Sequence, residues 1–540
     1  MSLFRMMRSL LAAVALVSIT LLAHAATETT SGVLPDGTPW RIDFPDNWNG
    51  TLLVGLDYAP NGGNTPTVQE LLRRGYASSG VNRAVTGWSV GDSIENHVRV
   101  VEIFTERYGP PARVFVNGSS LGAHTGAAVV QARPDVFDGA VLQCGGLAGA
   151  IGLWNSKLDA LFVAKTLLAP GDDRYPIIDV PDDFATNARP AWLAMLQAAQ
   201  QTPEGKARIA LAAAIAQLPA WSVGSKPIPA PDDYDALQEG LYDSLAGGPL
   251  PVVGQAMSSR NEINRRAGGN ISWNLGVDYR KLLERVEHAD VVRAMYEKAG
   301  LDLEADLDTL AAAPRIVADP DAIRWARIQV ISNPLTVPVV TVNGIGDQIS
   351  PVSGQQAYEA VAGSENLRQT YLRVAGHCGF NGPEVVTAVE VLQERAITGV
   401  WPDTSADALN ARAATVPLSG TPRFIEYEPV PFARPFHFPR VDAKVRSAVI
   451  VRKSQQLVQL DLTPLEPPAS EFSADKIDPA SIRFAGAAPV DSQLKGNTLV
   501  VKFRASDLGD LEPGAGVRIP VSGAYRYGVP IDAEVVTTVR

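Results

Sequence analysis

Residues 112–126 read ARVFVNGSSLGAHTG, and their reading decides the fold. Val114 to Asn117 suit a buried strand, Gly118-Ser119-Ser120-Leu121-Gly122 interrupts it, and Ala123 to Val130 is helix-compatible. Strand, sharp turn and helix, in that order, form the context in which a G-x-S-x-G pentapeptide presents a serine at a sheet end. The two glycines answer to a strained backbone at Ser120, where a Cβ on either flank is expected to meet the neighbouring strand or helix. Such a turn lifts the Ser120 hydroxyl clear of the sheet. It also aims the positive end of the following helix, and the Leu121 N–H, at oxygen charge developing beside it. In a chain with 46 glycines the pentapeptide alone also fits an ordinary glycine-rich turn, so the rest of the chain must supply its partners.

Working outward, strand and helix patterns alternate. TPWRIDFP reads as an antiparallel strand, Thr51 to Leu56 as a short buried strand with a loop from Asp57 to Gly63, and Val68 to Arg74 as a helix. Gly75 to Val81 is the next strand, a helix follows with Asp92 as its N-cap, and Val136 to Cys144 is one more strand after the elbow. Alternation of this kind makes a mostly parallel sheet covered on both faces, with ligands outside the carboxyl ends of its strands. Asp57, Ser120 and Cys144 all fall at such ends. From 145 to 333 alanine- and leucine-rich helical patterns dominate, and strands return at Val337 to Asn343 and Leu367 to Val374, followed by a helix from Pro383 to Ile397.

This divides the chain into a core at 26–144 and 334–400, a helical insertion at 145–333, a proline-rich linker or strap at 401–440, and a region of short strands at 441–540 with the pattern of a small β-sandwich. Residues 1–25 read as an export signal: Arg5 and Arg8, an apolar run from Leu10 to Leu22, and the small-residue triplet Ala23-His24-Ala25. The expectation is a secreted or periplasmic protein with no membrane span after signal cleavage. Its 540 residues carry a net charge of −11, and loss of the two arginines makes it −13. An acidic chain is a poor partner for nucleic acid or anionic membrane. The two cysteines, Cys144 and Cys378, have no metal-ligand spacing with other Cys or His, so no metal is expected.

A serine at neutral pH needs a base, usually a histidine oriented by a carboxylate. Of the six histidines, His24 lies in the signal, His97 in the helix before the elbow strand, His288 in the insertion and His437 in the proline-rich stretch. His124 rides the elbow helix, where packing or capping is its expected role. His377, in Gly376-His377-Cys378-Gly379 just past a strand, reaches the same edge as Ser120. Asp347 is the sole acid in the loop from Gly344 to Pro351 at the end of VPVVTVN. Its competing role is that of a turn former before Pro351.

The chain order Ser120, Asp347, His377, each just past a strand of one parallel sheet, resembles the α/β-hydrolase superfamily over roughly residues 30 to 400. The resemblance implies an α/β fold, acyl-transfer chemistry without a metal or organic cofactor, and a lid in the helical insertion. DGTPWRIDFPDNWNGTLLV and GYASSGVNRAVTGWSV are similar to secreted bacterial hydrolases of this superfamily, and Ile477 to Phe484, IDPASIRF, to small β-sandwiches appended to secreted bacterial proteins. An oxyanion hole is implied at the N–H groups of Leu121 and Tyr58. Many relatives have His-Gly where this chain has Asp57-Tyr58, so Asp57 must turn away, be paired or be protonated for that hole to work. A Cys144 to Cys378 disulfide would pin the His377 loop, similar to the histidine-adjacent bridge of tannase and feruloyl esterase relatives, although Ser119 stands where their second cysteine does. Two buried thiols are the alternative.

The expected function is a serine hydrolase of a carboxylic ester, small-molecule or polymer, with Trp154, Leu161 and Phe162 of the insertion as guesses for the acyl or alcohol pocket. A serine exopeptidase of the same fold would need an acidic anchor for the substrate amine. An inactive hydrolase fold serving as a binding protein is the reading from a different class.

Overall fold

Most side chains of the central strands are apolar and buried, because both faces of the sheet they form are covered. The computed structural model describes residues 27–59, 62–466 and 470–540, so the export signal expected at 1–25 lies outside the described residues. The strands of the main sheet are β1 (Thr27–Val33), β2 (Pro39–Pro45), β3 (Thr51–Leu56), β4 (Ala77–Val81), β5 (Arg113–Ser119), β6 (Gly139–Gln143), β7 (Val339–Gly346), β8 (Leu367–Ala375) and β9 (Phe424–Ile425). Their order is β1-β2-β4-β3-β5-β6-β7-β8-β9. The five pairings from β4 through β8 are parallel, and those of β1, β2 and β9 are antiparallel.

Alternation along each strand feeds two separate cores. Leu52, Val54 and Leu56 of β3, Val114 and Val116 of β5, and Ala140 and Leu142 of β6 point into a layer with the helices Val90–Tyr108 and Leu121–Ala132. Leu53, Phe115 and Val141, the residues between them, point into the opposite layer beside Gly382–Thr398. A period of two with apolar residues at every position is what a doubly covered parallel sheet requires. The chain runs from β3 outward to β4, then crosses back over β3 to β5. That reversal puts a crevice at the carboxyl ends of β3 and β5.

Local details differ from expectation in places. The helix read as starting at Asp92 begins at Val90 with Ser89 as its cap residue, and Asp92 instead accepts the Ser89 hydroxyl at 2.6 Å inside the first turn. A carboxylate there still favours the helix dipole. In the proline-rich stretch, a helix forms at Ala406–Ala413, and β9 adds a ninth strand beside β8.

Between β6 and β7 the chain makes nine α-helices with a core of their own, around Leu161, Trp192, Leu211, Met257 and Tyr296. The segment after it is tied in by a buried ion pair. Arg434 donates to Asp159 of the helix Gly149–Leu168 and to the Trp273 carbonyl at 3.0 Å, while Tyr279 Oη donates to Asp159 at 2.8 Å. Burial holds the Asp159 carboxyl above its ordinary range.

Beyond residue 440 lie β10 (Val441–Val445), β11 (Val449–Ile450), β12 (Leu457–Pro464), β13 (Arg483–Phe484), β14 (Asp491–Lys495), β15 (Thr498–Arg504), β16 (Gly514–Ala524) and β17 (Pro530–Val539). They form two four-stranded sheets, β10-β12-β15-β14 and β11-β17-β16-β13. Phe503 of one meets Phe484 of the other at 5.5 Å, so the sheets share a core. The unit docks on the rest through Trp273 stacked with Tyr527 at 6.3 Å, and through Arg324 and Arg327 on Asp532. Among the described residues, no helix is long and apolar enough to cross a membrane.

Breaking one half of a buried pair strands the other charge. Arg434→Ala is therefore expected to lower the unfolding free energy by about 3–5 kcal/mol in a denaturant titration. Adding Asp159→Asn in the same chain should recover part of that loss, because the orphaned carboxylate is what costs.

Candidate active site

The Ser120 backbone is the most constrained point of the sheet edge. Its φ of 56° and ψ of −119° lie where non-glycine residues are rare, and its N–H donates to the Gln143 carbonyl of β6 at 2.9 Å. Its own carbonyl then accepts from the N–H groups of Ala123 and His124 at 3.1 and 3.0 Å, which starts the helix Leu121–Ala132. The two flanking glycines are not equivalent. A Cβ on Gly118 would lie 2.4 Å from the Gly122 carbonyl oxygen, whereas one on Gly122 would meet the Leu56 Cβ at 3.4 Å, an ordinary contact. Only the first glycine is sterically required; the expectation for the second is corrected.

Asp347 follows β7 and His377 follows β8. The imidazole bridges serine and carboxylate, with Nε2 at 2.7 Å from Ser120 Oγ, and Nδ1 at 2.8 Å from Asp347 Oδ2 and 3.0 Å from Oδ1. A carboxylate only accepts, so Nδ1 carries the proton and Nε2 is left to accept from the serine hydroxyl. Asp347 is fully buried, and its Oδ1 also accepts the N–H groups of Ile349 and Ser350, both at 2.9 Å. The turn-forming and orienting roles that competed for this residue are thus filled together.

Cys144 and Cys378 form a disulfide across a Cα separation of 5.3 Å. It joins the end of β6 to the residue after His377. His124 packs away from the serine, with Nδ1 at 3.0 Å from the Gly146 carbonyl and Nε2 at 3.3 Å from Gln329 Oε1. Burial pushes its pKa down.

The N–H groups of Tyr58 and Leu121 flank the crevice at the ends of β3 and β5, and neither donates to an acceptor among the described residues. Asp57, with φ of 65°, points to Arg83, accepting its N–H at 3.2 Å and pairing with its guanidinium. The charge that stood against an oxyanion hole is neutralised. Tyr58 is held by its phenol, which donates to Asp43 at 2.7 Å and is kept neutral by burial.

A cavity of about 570 Å³ opens onto Ser120 and His377. The rest of its wall comes from Arg189 and Leu193, from Ala246 and the turn Gly248 to Pro251, from Gly254, Gln255 and Ser258 on the helix Val252–Ala267, and from Ile349. Trp154, Leu161 and Phe162, guessed for this wall, are buried in the cores beneath it instead. They sit on a helix that is buried nearly all round.

That helix also carries an unforeseen group. Lys157 is fully buried; its Nζ donates to the Ile349 carbonyl at 3.0 Å and to Gln255 Oε1, and lies 5.2 Å from the Trp154 ring. Ile349 is in the turn that Asp347 holds, and Gln255 is in the cavity wall, so one ammonium links the two. Burial lowers its pKa to about 7, partly opposed by Asp347 and assisted by Arg260. The signal for it was Lys157 and Asp159 within a mostly apolar helical run. Arg83 was also findable, since it follows β4 at the same sheet edge. Nothing in the sequence marks Arg189.

With Ser120, His377 and Asp347 in line, the serine proton has a path to the imidazole.

Comparison with known proteins adds to this geometry. Residues 29–154 match a tannase-like family of unknown function, DUF6351. The chain is 34% identical over 439 residues to o-phthalyl amidase of Xanthobacter agilis, covering 74% of this chain and 94% of that one. The chain belongs to the family of that amidase. Similar solved structures include the rice cell wall degrading esterase LipA of Xanthomonas oryzae, 12% identical over 68% of this chain and 88% of that chain, with a TM-score of 0.30. Feruloyl esterase B of Aspergillus oryzae is 15% identical over 69% and 81%, with a TM-score of 0.32.

Lys157 sets a pH test. Its folded pKa lies below its unfolded one, so the unfolded chain binds the extra proton between about pH 7 and pH 10, and stability rises with pH across that window. Between pH 7 and pH 9 the gain is on the order of 2 kcal/mol. Urea midpoints at the two pH values should show this increment in the natural chain and lose it in Lys157→Met.

Proposed function

We propose that this chain, a hydrolase of ester or amide bonds by its family, works through a covalent acyl-enzyme formed on Ser120. The observation that carries the reading is the unbroken hydrogen-bond run from Ser120 Oγ through His377 to the buried Asp347, at 2.7 and 2.8 Å. Ser120 Oγ attacks the acyl carbonyl while His377 Nε2 takes its proton, and Asp347 keeps the Nδ1–H tautomer and stabilises the imidazolium. The carbonyl oxygen, now negative, accepts from the N–H groups of Leu121 and Tyr58. Collapse expels the alcohol or amine, which leaves with the proton from His377. Water, deprotonated by the same nitrogen, then releases the acid and restores the serine.

The sequence points first to an ester; an amide demands the same steps and a better-placed proton for the amine. An o-phthalyl amide, the substrate named for the Xanthobacter agilis relative, is the first compound to try. An exopeptidase would need an acid beside the substrate amine, and no Asp or Glu lines the cavity among the described residues. The pairing of Asp57 with Arg83 removes the objection that favoured an inactive binding protein. In this reading the helices at 145–333 serve as the lid, 26–144 and 334–400 as the core, 401–440 as a strap and 441–540 as an appended sandwich. Export through residues 1–25 places the protein where a disulfide persists.

Covalent labelling of the purified protein by a fluorophosphonate, mapped by peptide mass, tests the reading. Label on Ser120, absent in Ser120→Ala, is expected. Asp347→Asn should lower kcat by about 10⁴ through the wrong imidazole tautomer. A folded protein that takes no label would overturn the serine mechanism.

A further inference from the structure

The cavity beside Ser120 differs in charge from the molecule around it. The chain is strongly acidic at −11, yet the wall holds no carboxylate among the described residues and one guanidinium, that of Arg189. Arg189 stands in the first turn of the helix Ala188–Ala199, one helical turn from Leu193, which shares the wall. Its backbone N–H is used, donating to the Phe184 carbonyl at 2.8 Å. Its guanidinium has no hydrogen bond, ion pair or ring contact among the described residues. Nearby acids do not claim it: Asp182 accepts from Asn261, and Asp183 from Asn187.

Several arginines elsewhere in this insertion are engaged, and those that are not among the described residues, Arg265 and Arg285, lie outside the cavity wall. Arg208 pairs with Asp306, Arg280 with Glu304 and Asp308, and Arg266 with Glu262. A free planar fork at the mouth of a cavity is suited to a bidentate bond with a carboxylate, and the missing wall acids leave it without a rival there. We propose that Arg189 is the group that reads a carboxylate on the acyl half of the substrate, the feature an o-phthalyl monoamide of the kind named for the relative would present. The inference rests on the serine-hydrolase reading above. A carboxylate on the acyl half stays in place through both attack and hydrolysis, so a single contact holds the substrate for the whole cycle. A neutral acyl group would leave the fork solvated, and it would be discriminated against by the loss of a charged hydrogen bond.

The test uses the full-length protein and the rate of fluorophosphonate labelling at Ser120, with phthalate as the dianionic probe and phthalamide as its neutral counterpart. Phthalate is expected to protect Ser120 at a concentration at least about tenfold below that of phthalamide. Arg189→Gln should remove that preference, and Arg189→Lys should restore part of it, since an ammonium keeps the charge and loses the fork. Circular dichroism of the two variants checks that the exposed substitution leaves the fold intact. Equal protection by the two probes in the natural chain, or a preference that survives in Arg189→Gln, would overturn the role of Arg189 while leaving the serine reading standing. Absence of labelling in every sample would instead mean that the serine reading itself had failed.

Discussion

Four residues that leave the sheet with positive φ hold this site together: Asp57 at 65°, Ser120 at 56°, Cys144 at 47° and Cys378 at 57°. Three of them directly follow β3, β5 and β6, and the fourth lies in the loop after β8. Left-handed backbone at a side-chain-bearing residue costs on the order of 1–3 kcal/mol and persists only where the surroundings over-determine it. Here the surroundings are specific. Arg83 holds Asp57, the Gln143 carbonyl holds Ser120, and the disulfide holds both cysteines. The sharp exits turn each loop at the sheet edge instead of letting it run on, which is how groups from sequence positions as distant as 120, 347 and 377 converge within hydrogen-bond reach.

The sheet supplies the rest of the geometry cheaply. Its order reverses at β3 and β5, so the crevice at their carboxyl ends exists before any side chain is placed in it. Asp347 shows how little is left to chance there. Its one carboxylate caps its own turn and orients the imidazole, and the turn is gripped again from below by Lys157 through Ile349. Each contact restricts the same few atoms.

The meeting of Ser120, His377 and Asp347 was legible because each position depends on short-range pattern: a glycine-bounded turn, a strand end, a histidine or aspartate just beyond it. The alternating strands and the helical insertion were legible for the same reason, since burial on two faces or on one stripe writes itself into residue periodicity. The start of the helix at Val90 was misplaced because Ser89 and Asp92 are both good first-turn residues, and only their mutual hydrogen bond separates the roles. The cavity wall was not legible. Trp154, Leu161 and Phe162 look like pocket residues in composition, yet a helix buried nearly all round has no face left for a ligand. The true wall is set by how the helices Ala188–Ala199 and Val252–Ala267 pack, and the turn Gly248 to Pro251 between them carries no chemical signature. Long-range packing of this kind leaves no local mark, which is also why Arg189 could not be singled out.

The bridge between Cys144 and Cys378 spans 234 residues, and every helix of the insertion lies between its ends. The chain is thus a covalent ring with two tails, and the ring contains Asp347, His377 and the whole cavity wall apart from Ser120. A single cut by a protease in any exposed loop of the insertion leaves one molecule, its pieces still joined beside the histidine. The ring also imposes an order on synthesis. It cannot close until Cys378 has emerged, after the entire insertion and β8, so the histidine loop is the last part of the site to be fastened and is fastened only where thiols can be oxidised.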